Sequence, residues 1–253
     1  MTDVRKLIDN ASEKHILRHM PEAYVRGFID AATAVYGVQQ LEPTLQQKFH
    51  LPDDSKFTPN SYFQSAAELY VQFHLATHPM VTGFAIDKQV NPPKDVEAYY
   101  EVNGTRVALE VKCPVERDAP QNGMLVRTAG RVPDHLARYD ELEALLREAD
   151  PSKAVSLGQN KDNTLKDFLT SAHSKFAPAS GVSDLNVLLI ACGNRSNMND
   201  WFLYMKGQNG LFTTDPFVPA SMYELVDVVV LSNLNTATGG RRNTTIGRCE
   251  MCY

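Results

Sequence analysis

The sequence predicts an α/β fold, with a central mixed β-sheet flanked by helices and a helical extension at the N-terminus. Three observations predict it: helical periodicity through the first 50 residues, two β-rich runs that meet at Asn103-Gly104, and an amphipathic helical pattern leading into the apolar run NVLLIACG. The chain has 253 residues, of which 43% are hydrophobic and 22% charged, enough for one elaborated domain with a sizeable core. That composition excludes a disordered or collagenous chain. We expect residues 1–58 to form the helical extension and residues 59–253 the main domain, ending in a mobile tail.

In the extension, Leu7, Ile8, Ala11, His15 and Ile16 recur at three- and four-residue spacing, and so do Tyr24, Val25, Phe28, Ile29, Ala32 and Val35. Gly37 is expected to stop the second of these helices. The connector LPDDSKFTPNS leads to a helix over SYFQSAAELYVQFHLAT, with Asn60 or Ser61 as the expected cap and Pro79 as the stop. A short strand, VTGFAID, follows. Next comes KDVEAYYEVNGTRVALEVKCP, where Asn103-Gly104 between two β-rich runs signals a hairpin, because both residues tolerate the positive φ of a type I′ turn. Residues 133–149 read as an amphipathic helix. After a loop around Gly158 comes another, in which Leu165, Phe168, Leu169, Ala172 and Phe176 share one face and Lys166, His173 and Lys175 lie off it. NVLLIACG reads as a central strand covered on both faces, and WFLYM and LVDVVVLS as further strands. No internal repeat or low-complexity segment interrupts this order.

The chemistry concentrates on the hairpin. Alternation along Thr105–Cys113 places Val107, Leu109, Val111 and Cys113 on one face and Ala108, Glu110 and Lys112 on the other. Pairing about Asn103-Gly104 sets Asp95 across from Lys112 and Glu97 across from Glu110. Three acids and a lysine thus converge at the open end of one hairpin. Carboxylates so close repel one another, and a hard divalent cation such as Mg²⁺ or Mn²⁺ relieves the repulsion while leaving room for phosphate oxygens. Lys112 would then serve a water attacking phosphorus or offset charge on the phosphate. The chemistry implied is phosphodiester hydrolysis. A plain Glu-Lys pair on a solvated strand face is the competing reading of the same residues.

The stretch D-x14-E-x-K from Asp95 to Lys112 resembles the signature of the PD-(D/E)XK nuclease superfamily, whose members include type II restriction endonucleases and Holliday-junction resolvases. The family's core of a helix, three antiparallel-connected strands, a helix and a further strand resembles the order read here from about Ser61 to Gly193. The resemblance implies a restriction-endonuclease-like three-layer core. It implies Asp95 and Glu110 as ligands of Mg²⁺ or Mn²⁺, the backbone carbonyl of Val111 as a third ligand, Lys112 as the catalytic lysine and Glu68 as an additional ligand. DNA is the implied substrate and endonucleolytic cleavage the implied activity, with a homodimer a modest expectation. RNA or branched DNA is the alternative substrate, and a catalytically idle nucleic-acid-binding or assembly subunit the alternative role. Here the motif proline, Pro93, stands one residue early, which leaves Glu97 a rival to Asp95. In the second core helix Lys166, His173 and Lys175 are candidates to approach the phosphate.

Other site classes find less support. There is no G-x-S-x-G elbow and no phosphate-cradling G-x-x-x-x-G-K-[ST] loop. Cys249 and Cys252 form one CxxC where a four-cysteine zinc site needs two, and they read as reduced tail thiols. No apolar run is long enough to span a bilayer and no secretory h-region is evident, so we expect a cytoplasmic protein without a membrane partner. The formal charge of −5 divides unevenly: residues 1–150 carry 16 basic and 22 acidic side chains, and residues 151–253 carry 9 and 8. The later half supplies Lys161, Lys166, Lys175, Arg195, Arg241, Arg242 and Arg248 as candidate phosphate contacts.

Overall fold

Helix α1 (Val4–Asn10) turns Val4, Leu7 and Ile8 inward and stops sooner than its periodicity suggests. The chain bends at Ser12, and His15 then caps a short 3₁₀ turn, Ile16–His19, by accepting a hydrogen bond from the Leu17 amide. Helix α2 (Glu22–Phe49) is interrupted at Gly37, whose φ of 73° is open to glycine and strained for other residues, and resumes beyond it. In this computed structural model the described residues are 4–53, 55–114, 123–126, 141, 144–149, 154–157, 161–181, 183–193, 195–207, 210–214, 216 and 218–233.

Helix α3 (Pro59–Thr77) is capped by Thr58, not by Asn60 or Ser61. Pro59 takes the first helical position, where it has no N–H to lose, and the Thr58 hydroxyl and Ser61 close a capping box. The helix ends at Thr77, two residues before Pro79. The extension and α3 share one core, in which Phe28, Leu45 and Phe49 meet Tyr62, Ala66 and Leu69. The N-terminal helices are thus packed against α3 through this shared core.

Strands β1 (Val81–Asn91), β2 (Lys94–Val102) and β3 (Thr105–Lys112) form an antiparallel meander. β1 runs farther than VTGFAID, because the alternation breaks at bulges between Thr82 and Ala85 and between Lys88 and Asn91. The β2–β3 register is the one expected, from Val102 opposite Thr105 to Ala98 opposite Leu109. Asn103 and Gly104 both have positive φ, 51° and 78°. A small parallel pair, β4 (Gly123–Val126) and β5 (Ala154–Leu157), is separate from the main sheet, and its four-residue strands leave too short a pattern to read from sequence. Of the helix expected over 133–149, residues 141 and 144–149 are helical, and the rest lies outside the described residues.

Helix α4 (Lys161–Lys175) buries Leu165, Leu169 and Ala172, with Phe176 just beyond it, on the face expected. Strand β6 (Asp184–Cys192) lies parallel between β3 and β7 (Val228–Asn233), giving one five-stranded mixed sheet in the order β1-β2-β3-β6-β7. The expected strand WFLYM is instead part of helix α5 (Arg195–Lys206). Trp201, Tyr204 and Met205 are buried while Phe202 and Leu203 are exposed, a spacing of three and four that a short apolar run disguises. Helices cover both sheet faces. Val107, Leu109 and Val111 of β3 pack with Ala67 and Val71 of α3, and Ala108 packs with Leu165 and Leu169 of α4 and Trp201 of α5. The expected alternation of β3 holds, and it directs Glu110 and Lys112 toward α4. Among the described residues, no helix is long and apolar enough to cross a membrane.

Candidate active site

Because β3 runs parallel to β6, its last residues stand at the carboxyl ends of the parallel strands, where side chains of several elements can meet. Glu110 is fully buried there, with 0% of its side chain exposed. Its Oε1 lies 2.8 Å from Lys112 Nζ and 2.8 Å from Lys175 Nζ, and its Oε2 accepts a 2.9 Å hydrogen bond from Lys175. The Oε1 contacts are charge contacts outside hydrogen-bond geometry, so this buried oxygen has no hydrogen-bond partner. A carboxylate removed from water in this way is tolerable only because two ammonium groups flank it.

Glu97, on β2, lies in the same cluster. Its Oε1 is 3.5 Å from Lys175 and its Oε2 3.9 Å from Lys48, which arrives from the last turn of α2. Lys48 also stands 3.7 Å from Glu68 Oε2 and 3.2 Å from Asp87 Oδ1. Shared lysines therefore link three acids, buried Glu68 and Glu110 and partly buried Glu97, that come from α3, β3 and β2. Asp95 sits at the exposed start of β2, near enough to act on the charge of Lys175. Of the two rival acids, Glu97 is the one held inside the cluster and Asp95 the one at its rim.

Two glutamines of α3 fix the frame. Gln64 donates to Glu68 Oε1 at 2.6 Å and to the Val111 carbonyl at 2.9 Å, and accepts from the Cys113 amide at 2.6 Å. Gln72, fully buried, donates to the Glu97 carbonyl at 2.9 Å and accepts from the Tyr36 hydroxyl at 3.3 Å. Helix α3 is thereby tied to the backbone of β2 and of the end of β3.

The proton affinities follow from this crowding. Burial pushes the Glu97 carboxyl up to about 8, Glu68 and Glu110 push it further in the same direction, and Lys48 and Lys175 oppose them. Burial also raises the Glu68 carboxyl, against the Gln64 hydrogen bond and Lys48. Burial disfavours the charge of Lys175, but Glu110 outweighs it, and this lysine holds its proton more firmly than usual. Burial and mutual repulsion thus favour protons on the Glu97 and Glu68 carboxyls.

Lys166 pairs with its neighbour Asp167 near the surface, and His173 accepts from the Leu225 amide, a structural bond. Of the three polar residues expected off the α4 stripe, only Lys175 reaches the cluster. Arg241, Arg242, Arg248, Cys249 and Cys252 lie outside the described residues, as does the tail expected to be mobile. Sequence reasoning missed Lys48 altogether. Gln64, Glu68 and Gln72 follow one another at four-residue spacing, a polar stripe that the helical period alone shows, but sequence reasoning assigned Gln64 and Gln72 no role at the site. Among the described residues, no group of three or more His, Cys, Asp or Glu side chains stands arranged to hold a metal ion, since lysines are interposed between the acids. No family model, curated protein or solved structure matches the chain.

Proposed function

We propose that the protein is a metal-dependent endonuclease of the PD-(D/E)XK type that hydrolyses phosphodiester bonds in DNA. The observation that carries the reading is the set of three acids, buried Glu68 and Glu110 with partly buried Glu97, joined through shared lysines at the end of an E-x-K strand. Three acids brought from three elements to the carboxyl ends of the parallel strands, with Lys48, Lys112 and Lys175 among them, form a cluster of perturbed charges of the kind a phosphoryl-transfer site uses. The order α3, β1-β2-β3, α4, β6, with β3 parallel to β6, supports the same reading.

The donors are of the kind Mg²⁺ or Mn²⁺ takes, oxygens alone, and a cation entering among them would displace the lysine contacts that hold the acids apart in the metal-free arrangement. Glu110, Glu97, Glu68 and the Val111 carbonyl would hold the ion, with Asp95 at the rim in place of the inner role that spacing suggests. A bound divalent ion would polarise a phosphoryl oxygen and acidify a water. Lys112, 21% exposed and 2.8 Å from Glu110, would orient that water or the scissile phosphate. Lys175 keeps its proton, so its part is to offset negative charge that builds on the phosphate.

The test is incubation with plasmid, linear and single-stranded DNA and with RNA, in Mg²⁺, Mn²⁺ or chelator, beside Glu110→Ala and Lys112→Ala. Cleavage that needs the metal and falls by about a hundredfold or more in both variants is expected. Cleavage that persists in chelator or in both variants would refute the mechanism, and binding without cleavage of any substrate would make the protein a nucleic-acid-binding subunit.

A further inference from the structure

We propose that Lys48 is the built-in counter-ion of this site, a positioning residue through which the N-terminal helices set the charge between Glu68 and Glu97. The inference rests on the nuclease reading for its metal arm, and on geometry alone for the rest. Lys48 lies in the last turn of α2, outside the segment Asp95–Lys112 that carries the nuclease signature. Its side chain is nonetheless only 19% exposed, and its Nζ stands 3.2 Å from Asp87, 3.7 Å from Glu68 and 3.9 Å from Glu97. No other ammonium group among the described residues makes an ion pair with Glu68.

The backbone around Lys48 is held for this purpose. The Lys48 carbonyl accepts a 2.9 Å hydrogen bond from the Ser65 hydroxyl, one turn of α3 before Glu68. The next residue, Phe49, is 1% exposed and packs edge-on against Phe28 and Tyr62, while its carbonyl accepts from the buried His15 ring. A left-handed His50, with φ 57°, then ends the helix. The end of α2 is thus anchored on both sides of Lys48, and the ammonium is presented to the acids by a rigid support. Distances of 3.7 and 3.9 Å give Coulomb attraction from Lys48 without a short hydrogen bond to it, so the lysine holds Glu68 and Glu97 near one another by charge, while Gln64 supplies the hydrogen bond that orients Glu68.

Removing Lys48 should therefore have two opposite effects. The metal-free protein loses the charge that offsets Glu68, Glu97 and Asp87, and a divalent cation meets a more negative site with one competitor fewer, Lys112 and Lys175 remaining. Lys48→Met is expected to lower the melting temperature in chelator while tightening Mn²⁺ binding about tenfold by calorimetric titration. Lys48→Arg should retain wild-type behaviour in both measurements. A packing role alone would lower stability with and without Mn²⁺ and leave its affinity unchanged, and that result would overturn the proposal. A double-mutant cycle of Lys48→Gln with Glu97→Gln in chelator, at about pH 9 where Glu97 is ionised, supplies a readout independent of metal and of cleavage. Much of the loss caused by Lys48→Gln should vanish in the Glu97→Gln background, and additive losses would refute the pairing. If the wild type neither binds Mn²⁺ nor cuts nucleic acid, the nuclease reading fails and the cycle still decides the role of Lys48.

Discussion

Glu97→Gln should alter how the stability of the metal-free protein depends on pH. The wild-type carboxyl is pushed up to about 8, first by burial and then by Glu68 and Glu110. Between its ordinary value near 4.5 and about 8, the folded chain keeps a proton that the unfolded chain has released. The folded state then binds more protons, so stability falls as pH rises through this window. The favourable contribution is fully present below the ordinary value and gone above about pH 8. Its slope cannot exceed about 1.4 kcal/mol per pH unit, and sharing the proton with Glu68 reduces the total for Glu97 to on the order of 3 kcal/mol. The glutamine retains the shape and carries no charge, so this slope disappears with it. Urea denaturation in chelator, at about pH 5 and about pH 8.5, checks the expectation. The wild type should lose about 3 kcal/mol more than Glu97→Gln between the two conditions. Equal losses in the two proteins would show that Glu97 does not carry the excess proton, and the electrostatic account of the cluster would fail.

Two further substitutions test the support of the site. His15→Phe removes a buried ring whose Nε2 donates to the Phe49 carbonyl at 2.9 Å and whose Nδ1 accepts from the Leu17 amide at 3.3 Å. Both backbone groups lose these partners, so a destabilisation of about 1–3 kcal/mol is expected in thermal unfolding, and an unchanged transition would refute the structural role. Thr58→Ala removes the side chain that caps α3 and should cost about 1 kcal/mol, whereas Thr58→Ser should restore most of it. Chemical denaturation of the two variants side by side is the check.

The hairpin was legible because its signals are local. Asn103-Gly104 fixes the turn, the turn fixes the register, and the register places Glu97 beside Glu110 with no knowledge of the rest of the chain. The face of α4 was legible for the same reason, since Leu165, Leu169, Ala172 and Phe176 repeat with the helical period. What could not be read depends on distant segments. Nothing near Lys48 in sequence announces that it will meet Glu68 and Glu97, because that meeting is decided by the packing of Phe49 against Phe28 and Tyr62. The choice between Asp95 and Glu97 had a similar origin. Both share a strand parity, and only the position of the α2 and α4 lysines distinguishes an inner acid from one at the rim. WFLYM was misread because five apolar letters suit either period, and burial of Trp201, Tyr204 and Met205 alone resolves it.

Gln64 has a consequence for how strain would pass through the molecule. Its side-chain amide accepts from the Cys113 N–H and donates to the Val111 carbonyl, the same pair of bonds that the peptide of an adjoining strand would offer. In effect a helix lends one residue to the sheet as a surrogate strand. The same amide nitrogen also touches Glu68, so a shift of that carboxylate would pull directly on the backbone at the end of β3. Hydrogen exchange at the Cys113 amide would then report on events at Glu68, and the end of β3 would behave as a strain gauge for the acid cluster beside it.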